Sequence, residues 1–195
     1  LMYSGFRDPT PQGAQVRMAN TIGYKSPSFG GLTVQAATSL GENVVGRTDG
    51  FNIEYGAGPI YAAFAFERVR GNGSNPAVGG SARDGDKLMN LAVHYDLGMV
   101  KPMLYYARAE VDATSRENDF WSIGALAPIG PGNLKAAYAR YDDPARAEGL
   151  ERSKFSVGYD YPFSKRTNLY LDFGQQRGDG LTTNRTWSFG AKHTF

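Results

Sequence analysis

The sequence predicts an all-β fold: an antiparallel β-barrel of meander topology that crosses a membrane with its strands. Three observations lead there. Apolar and polar residues alternate with period two in segment after segment, and no helical period stands out. These segments are joined alternately by tight turns and by long polar stretches. Aromatic residues gather near segment ends on the apolar face, while charges recur mid-segment on the opposite face.

Eleven strands follow in order, at about 15–26, 32–40, 50–56, 59–68, 87–97, 100–111, 119–127, 133–141, 153–162, 167–176 and 185–195. The first, 15–26, runs into the Pro- and Gly-rich turn Ser26 to Gly31. Leu32, Val34, Ala36, Thr38 and Leu40 form one face of the second. Phe51, Ile53 and Tyr55 alternate with Asn52 and Glu54. Ile60, Ala62, Phe64 and Phe66 alternate with Tyr61, Ala63, Ala65 and Glu67. Met89, Leu91, Val93, Tyr95 and Leu97 oppose Asn90, Ala92, His94 and Asp96. Register stays open in 100–111 and 133–141. Phe155, Val157, Tyr159 and Tyr161 alternate with Lys154, Ser156, Gly158 and Asp160. Leu169, Leu171 and Phe173 alternate with Asn168, Tyr170 and Asp172. Trp187, Phe189, Ala191, His193 and Phe195 complete the last strand.

Short connections fall at 56–59, 97–99, 128–131 and 163–166, and long ones at 41–49, 69–86, 112–118, 142–152 and 177–184. Tight turns at one end and long loops at the other suit a membrane barrel better than a soluble sandwich, which mixes loop lengths at both ends.

Composition agrees. The chain has 195 residues, with 25 Gly and 25 aromatics (Tyr 12, Phe 11, Trp 2), which suits short strands and tight turns. The longest apolar stretch, Ile60 to Phe66, is far short of the ~20 residues of a membrane helix. A barrel strand needs only ~9–11 residues, half of them polar. There is no Cys, which excludes thiol catalysis, disulfides and Cys-ligated metal sites. The net charge of +2 and the lack of a Lys/Arg run argue against nucleic acid. Leu1 to Phe6 has no signal-peptide pattern, so the chain reads as mature or as starting part-way through a longer one.

Arg17, Glu54, Glu67, Arg108, Glu110, Lys154, Asp160, Asp172 and Lys192 are expected on the polar face. A packed interior penalises so many unpaired charges, whereas a water-filled lumen accepts them. Catalysis finds no support in motifs: there is no Gly-x-Ser-x-Gly, P-loop or His-Glu-x-x-His. His94 and His193 are the natural general bases near neutral pH, and neither sits in a catalytic pattern. No cofactor or metal is expected, and the chain is not expected to be an enzyme.

Two segments carry a resemblance. Trp187 to Phe195 resembles the closing strand of Gram-negative general diffusion porins of beta-proteobacteria, which commonly end Gly-x-Arg/Lys-His-x-Phe. Asn20 to Gly31 is similar to a motif that follows that family's constriction loop. The resemblance implies a sixteen-stranded trimeric barrel for passive diffusion of ions and small hydrophilic solutes. Sixteen strands need roughly 290 residues at this spacing, so the chain reads as one barrel domain, 1–195, forming the C-terminal part of a porin, with about eleven of the sixteen strands. Residues 1–14 would be the tail of the constriction loop.

The resemblance further implies that Arg17 belongs to a basic cluster on the wall. Asp8 and Arg7 would lie near the loop base, with Arg108 and Glu110 as further constriction residues. Trp187, Phe189, His193 and Phe195 would form the terminal signal read by the outer-membrane assembly machinery. Implied partners are outer-membrane lipid, lipopolysaccharide and two further copies of the chain, in the Gram-negative outer membrane. A substrate-specific uptake channel or barrel enzyme is the competing reading.

Overall fold

A computed structural model describes residues 20–41, 46–71, 84–111, 115–143, 150–178 and 181–195. Among them run eleven strands: β1 (Thr21–Lys25), β2 (Leu32–Ser39), β3 (Arg47–Ala57), β4 (Ile60–Arg70), β5 (Lys87–Tyr95), β6 (Lys101–Val111), β7 (Arg116–Ile129), β8 (Gly132–Asp143), β9 (Leu150–Pro162), β10 (Thr167–Gly178) and β11 (Leu181–His193). They form one sheet whose strand order is the chain order. Each strand pairs antiparallel with its neighbours in sequence. β1 and β11 end the order, so the described residues make an open sheet.

Tight turns close the short end. Gly58, Gly98 and Gly130 all have positive φ, which a side chain disfavours and Gly accepts. Gly31 is constrained twice: its φ is 91°, and a Cβ there would run into the carbonyl of Gly56 on β3.

Period two assigns the faces, and the register aligns them across strands. Leu171 lies opposite Tyr159 and Phe189, and Phe173 opposite Val157 and Trp187. Phe51 lies between Ala36 and Phe66, and Phe64 between Ile53 and Leu91. This face exposes large apolar side chains such as Ile53, Leu91, Phe155 and Leu171. Thr48, Val69, Ala107, Asn118, Phe120 and Ser156 on the other face are buried. Neighbouring side chains converge on the concave side of a curved single sheet and splay on its convex side. The apolar face is therefore outward and the polar face inward.

Two expectations change. Arg108 and Glu110 are on the outward face, not the inward one. Arg108 lies opposite Met89 and Asp119, and Glu110 opposite Lys87 and Glu117. Residues 101–107 carry apolar side chains on both parities, so alternation within the segment does not select a face; the neighbouring strands do. The strands also reach further into the expected long connections. β3 begins at Arg47, β7 at Arg116, β9 at Leu150 and β11 at Leu181, and β8 continues to Asp143. Charges that read as loop are held there by cross-strand ion pairs, such as Arg70–Asp49 at 2.9 Å and Arg140–Glu151 at 2.8 Å. At the start of the sheet, β1 spans Thr21–Lys25 within the expected 15–26, whose first part lies outside the described residues.

Candidate functional site: the inward face

The inward face carries its polar chemistry in two regions. On β2–β5, Glu54 accepts hydrogen bonds from the Asn52 amide at 2.7 Å and from Gln35 at 3.5 Å. Glu67 shares with Gln35, Asn52 and Asn90 a recess of about 250 Å³. This region presents two carboxylates among neutral amides.

The second region lies on β8–β10. Lys135 places its Nζ 2.6 Å from Asp160 Oδ1 and 3.8 Å from Asp172 Oδ1. Its side chain is only 15% exposed, so it sits between the two carboxylates with little water around it. Gly158 makes the arrangement possible: a Cβ there would occupy the position of the Asp172 carboxylate. Lys135 escaped the sequence reading because Leu134 to Ala139 holds apolar residues on both parities. Its signal exists only in the register, which sets Lys135 opposite Gly158, beside Asp160 and Asp172.

Between these regions the wall is apolar. Tyr105 and Phe120 pack at 5.8 Å beside Ala107 and Tyr141. A recess of about 310 Å³ is lined here by Met103, Tyr105, Phe120 and Lys154, with His94 stacked on Tyr61 at 5.1 Å. Glu54, Glu67, Lys154, Asp160 and Asp172 thus face inward as expected. Arg17, Asp8 and Arg7 lie outside the described residues. Among the described residues no cluster of His, Asp and Glu has metal-binding geometry.

A family model described as Gram-negative porin matches residues 2–181. The chain belongs to the Gram-negative porin family. Membership carries localisation to the outer membrane. This porin chain is 27% identical over 200 residues to an outer membrane porin protein of Bordetella pertussis, covering 80% of this chain and 51% of the relative. It therefore spans about half the length of that relative. The anion-selective porin of Comamonas acidovorans has the same fold, with a TM-score of 0.71 at 21% identity, over 91% of this chain and 60% of that one. The trimer form of the Vibrio cholerae outer membrane protein OmpT matches with a TM-score of 0.62 at 14% identity, over 89% and 64% of the two chains.

In this porin the outward face shows interfacial chemistry at the short-turn end. The Tyr159 hydroxyl donates to the carbonyl of Ile129 at 2.8 Å. On β11, His193 meets Phe195 edge-on at 5.0 Å, while Trp187, six residues from His193 toward the long connection, packs against Phe173 with ring centroids 4.7 Å apart. Thr167 Oγ1 lies 2.9 Å from His193 Nδ1. Trp187, Phe189, His193 and Phe195 are all exposed.

Proposed function

We propose that this chain forms the later strands of a longer barrel, whose water-filled channel passes ions and small hydrophilic solutes by passive diffusion. One observation carries the reading. A single sheet presents exposed aliphatic and aromatic side chains outward, and carboxylates, ammonium groups and amides inward. Apolar-out and polar-in is the partition that lipid outside and water inside require. The short turns then lie on the periplasmic side and the long connections outside the cell.

Selectivity in such a channel comes from the field of the lining charges and from pore width, not from bond making. Glu54, Glu67, Lys154, Asp160 and Asp172, with Lys135, supply charges to this wall, and Arg17 and Asp8 contribute to the constriction. The fold shared with a trimeric outer-membrane protein supports assembly as a homotrimer. Lipopolysaccharide contacts the outward face, and the assembly machinery reads the terminal strand through Trp187, Phe189, His193 and Phe195. The test is single-channel recording of the complete natural porin in a planar bilayer. Stepwise ohmic conductance is expected. A correctly folded, membrane-inserted protein without conductance overturns the reading.

A further inference from the structure

Register builds the recess of about 310 Å³ on the inward face. One row of cross-strand partners reads His94, Met103, Gly124, Ala137 and Ser156 from β5 to β9. The next row toward the long connections reads Ala92, Tyr105, Ser122, Ala139 and Lys154. In these two rows β7 and β8 carry only small side chains, so the wall sinks between β6 and β9. Those strands lie three strand spacings apart, about 14 Å. That width holds one aromatic ring and the reach of a lysine.

Phe120 closes the recess toward the long connections, where it packs on Tyr105 at 5.8 Å, and Tyr61, stacked on His94 at 5.1 Å, borders its β4 side. Among the described residues that line it, Lys154 is the one formally charged in both Asp/Glu and Lys/Arg terms. Ser156, only 7% exposed, also lines it and makes no side-chain hydrogen bond among the described residues. An apolar floor and aromatic rim with one cation and one hydroxyl form the lining of a ligand pocket, and the volume falls within the ~300–1,000 Å³ of such pockets.

We propose that this recess is a binding subsite for small aromatic carboxylates on their way through the channel. The ring lies on Gly124 and Ala137, whose side chains are too small to hold it off the backbone, with its edge against Tyr105 and Phe120. The carboxylate takes a charge-assisted hydrogen bond from the Lys154 ammonium, with the Ser156 hydroxyl as second donor. Charge complementarity selects an anion, because Glu54 and Glu67 do not line the recess. The proposal rests on the channel reading given above and names a solute class for it.

The complete natural porin in a planar bilayer carries chloride current while benzoate, acetate or benzyl alcohol is added at neutral pH. Benzoate should depress the current saturably, at roughly tenfold lower concentration than acetate, which lacks the ring, or benzyl alcohol, which lacks the charge. Lys154→Gln should remove the preference over benzyl alcohol, and Lys154→Arg should keep it. Ala137→Leu, which fills the floor, should remove the preference over acetate. Benzoate binding to the detergent-solubilised porin, read by saturation-transfer nuclear magnetic resonance, should follow the same order. Equal effects of the three solutes on the unmodified porin overturn the proposal, as does an undiminished preference in folded Lys154→Gln or Ala137→Leu. Normal chloride current without benzoate preference sinks the subsite alone, including the case in which another segment of the porin fills the recess. Benzoate binding in detergent without conductance sinks the channel alone.

Discussion

Arg108 on β6 grips both carboxylate oxygens of Asp119 on β7, Nε to Oδ1 at 2.8 Å and Nη2 to Oδ2 at 3.1 Å. Tyr106 donates its hydroxyl to the same Oδ1. The pair sits outward, one row from Tyr106 and Trp121, and continues a belt of ion pairs from Arg47–Asp49 on β3 to Arg140–Glu151 across β8 and β9. These contacts carry the strands past the apolar band toward the long connections.

Arg108→Gln and Asp119→Asn should each lower stability by about 1–2 kcal/mol, because a bidentate pair at a partly exposed site exceeds the usual surface ion pair. A double-mutant cycle in reversible urea unfolding of the complete porin measures the coupling. Ion selectivity should not move. A changed reversal potential in a salt gradient would return Arg108 to the channel wall.

Lys135→Gln should shift reversal potential toward cation selectivity, since Asp160 and Asp172 lose their shared cation. Stability should fall by about 1–3 kcal/mol, because the half-buried carboxylates lose a charge-assisted partner. Adding Asp160→Asn should recover part of both effects. Unaltered selectivity in the folded single variant would remove the cluster from the conducting path.

Asp96, in the turn between β5 and β6, is held below the ordinary carboxylate range first by the Lys101 ammonium at 2.9 Å and then by the Gly98 amide at 2.9 Å. A lowered pKa in the folded state stabilises the turn above the unfolded value of about 3.9 and loses that effect as pH falls through the folded value. Hydrogen-exchange protection of the Gly98 amide should therefore exceed that of Asp96→Asn at neutral pH, and the difference should vanish in acid. Equal protection at neutral pH would mean that the carboxylate does not hold the turn.

Deleting Phe195 should cost little intrinsic stability, because its ring is fully exposed and buries almost no area. Insertion in cells should suffer more, since Trp187, Phe189, His193 and Phe195 share the outward face that the assembly machinery is proposed to read. Cellular insertion and refolding into detergent are compared for the complete porin and its deletion. Equal modest losses in both assays would reduce Phe195 to an interfacial aromatic.

Where one parity is apolar and the other is not, the sequence by itself determined the strand and its faces. Ile53 and Phe64, Leu169 and Leu171, and Trp187 and Phe189 all turn outward as their alternation requires, while Glu54, Glu67, Lys154 and Asp172 turn inward. Turn chemistry marked the short end equally well, because positive φ at Gly58, Gly98 and Gly130 is a local property. Where both parities are apolar, only the tertiary structure decided. Leu104 and Tyr105, or Leu134 and Ala137, are equally fit for either face. The face was set by which residues lay across the ladder: Met89 and Asp119 beside Arg108, and Gly158 opposite Lys135. The long-loop end was decided the same way. Arg47, Asp49, Arg70 and Glu151 read as loop in one dimension and became strand because their ion-pair partners stand on the same or an adjacent strand, a proximity that pairing creates and linear spacing does not encode.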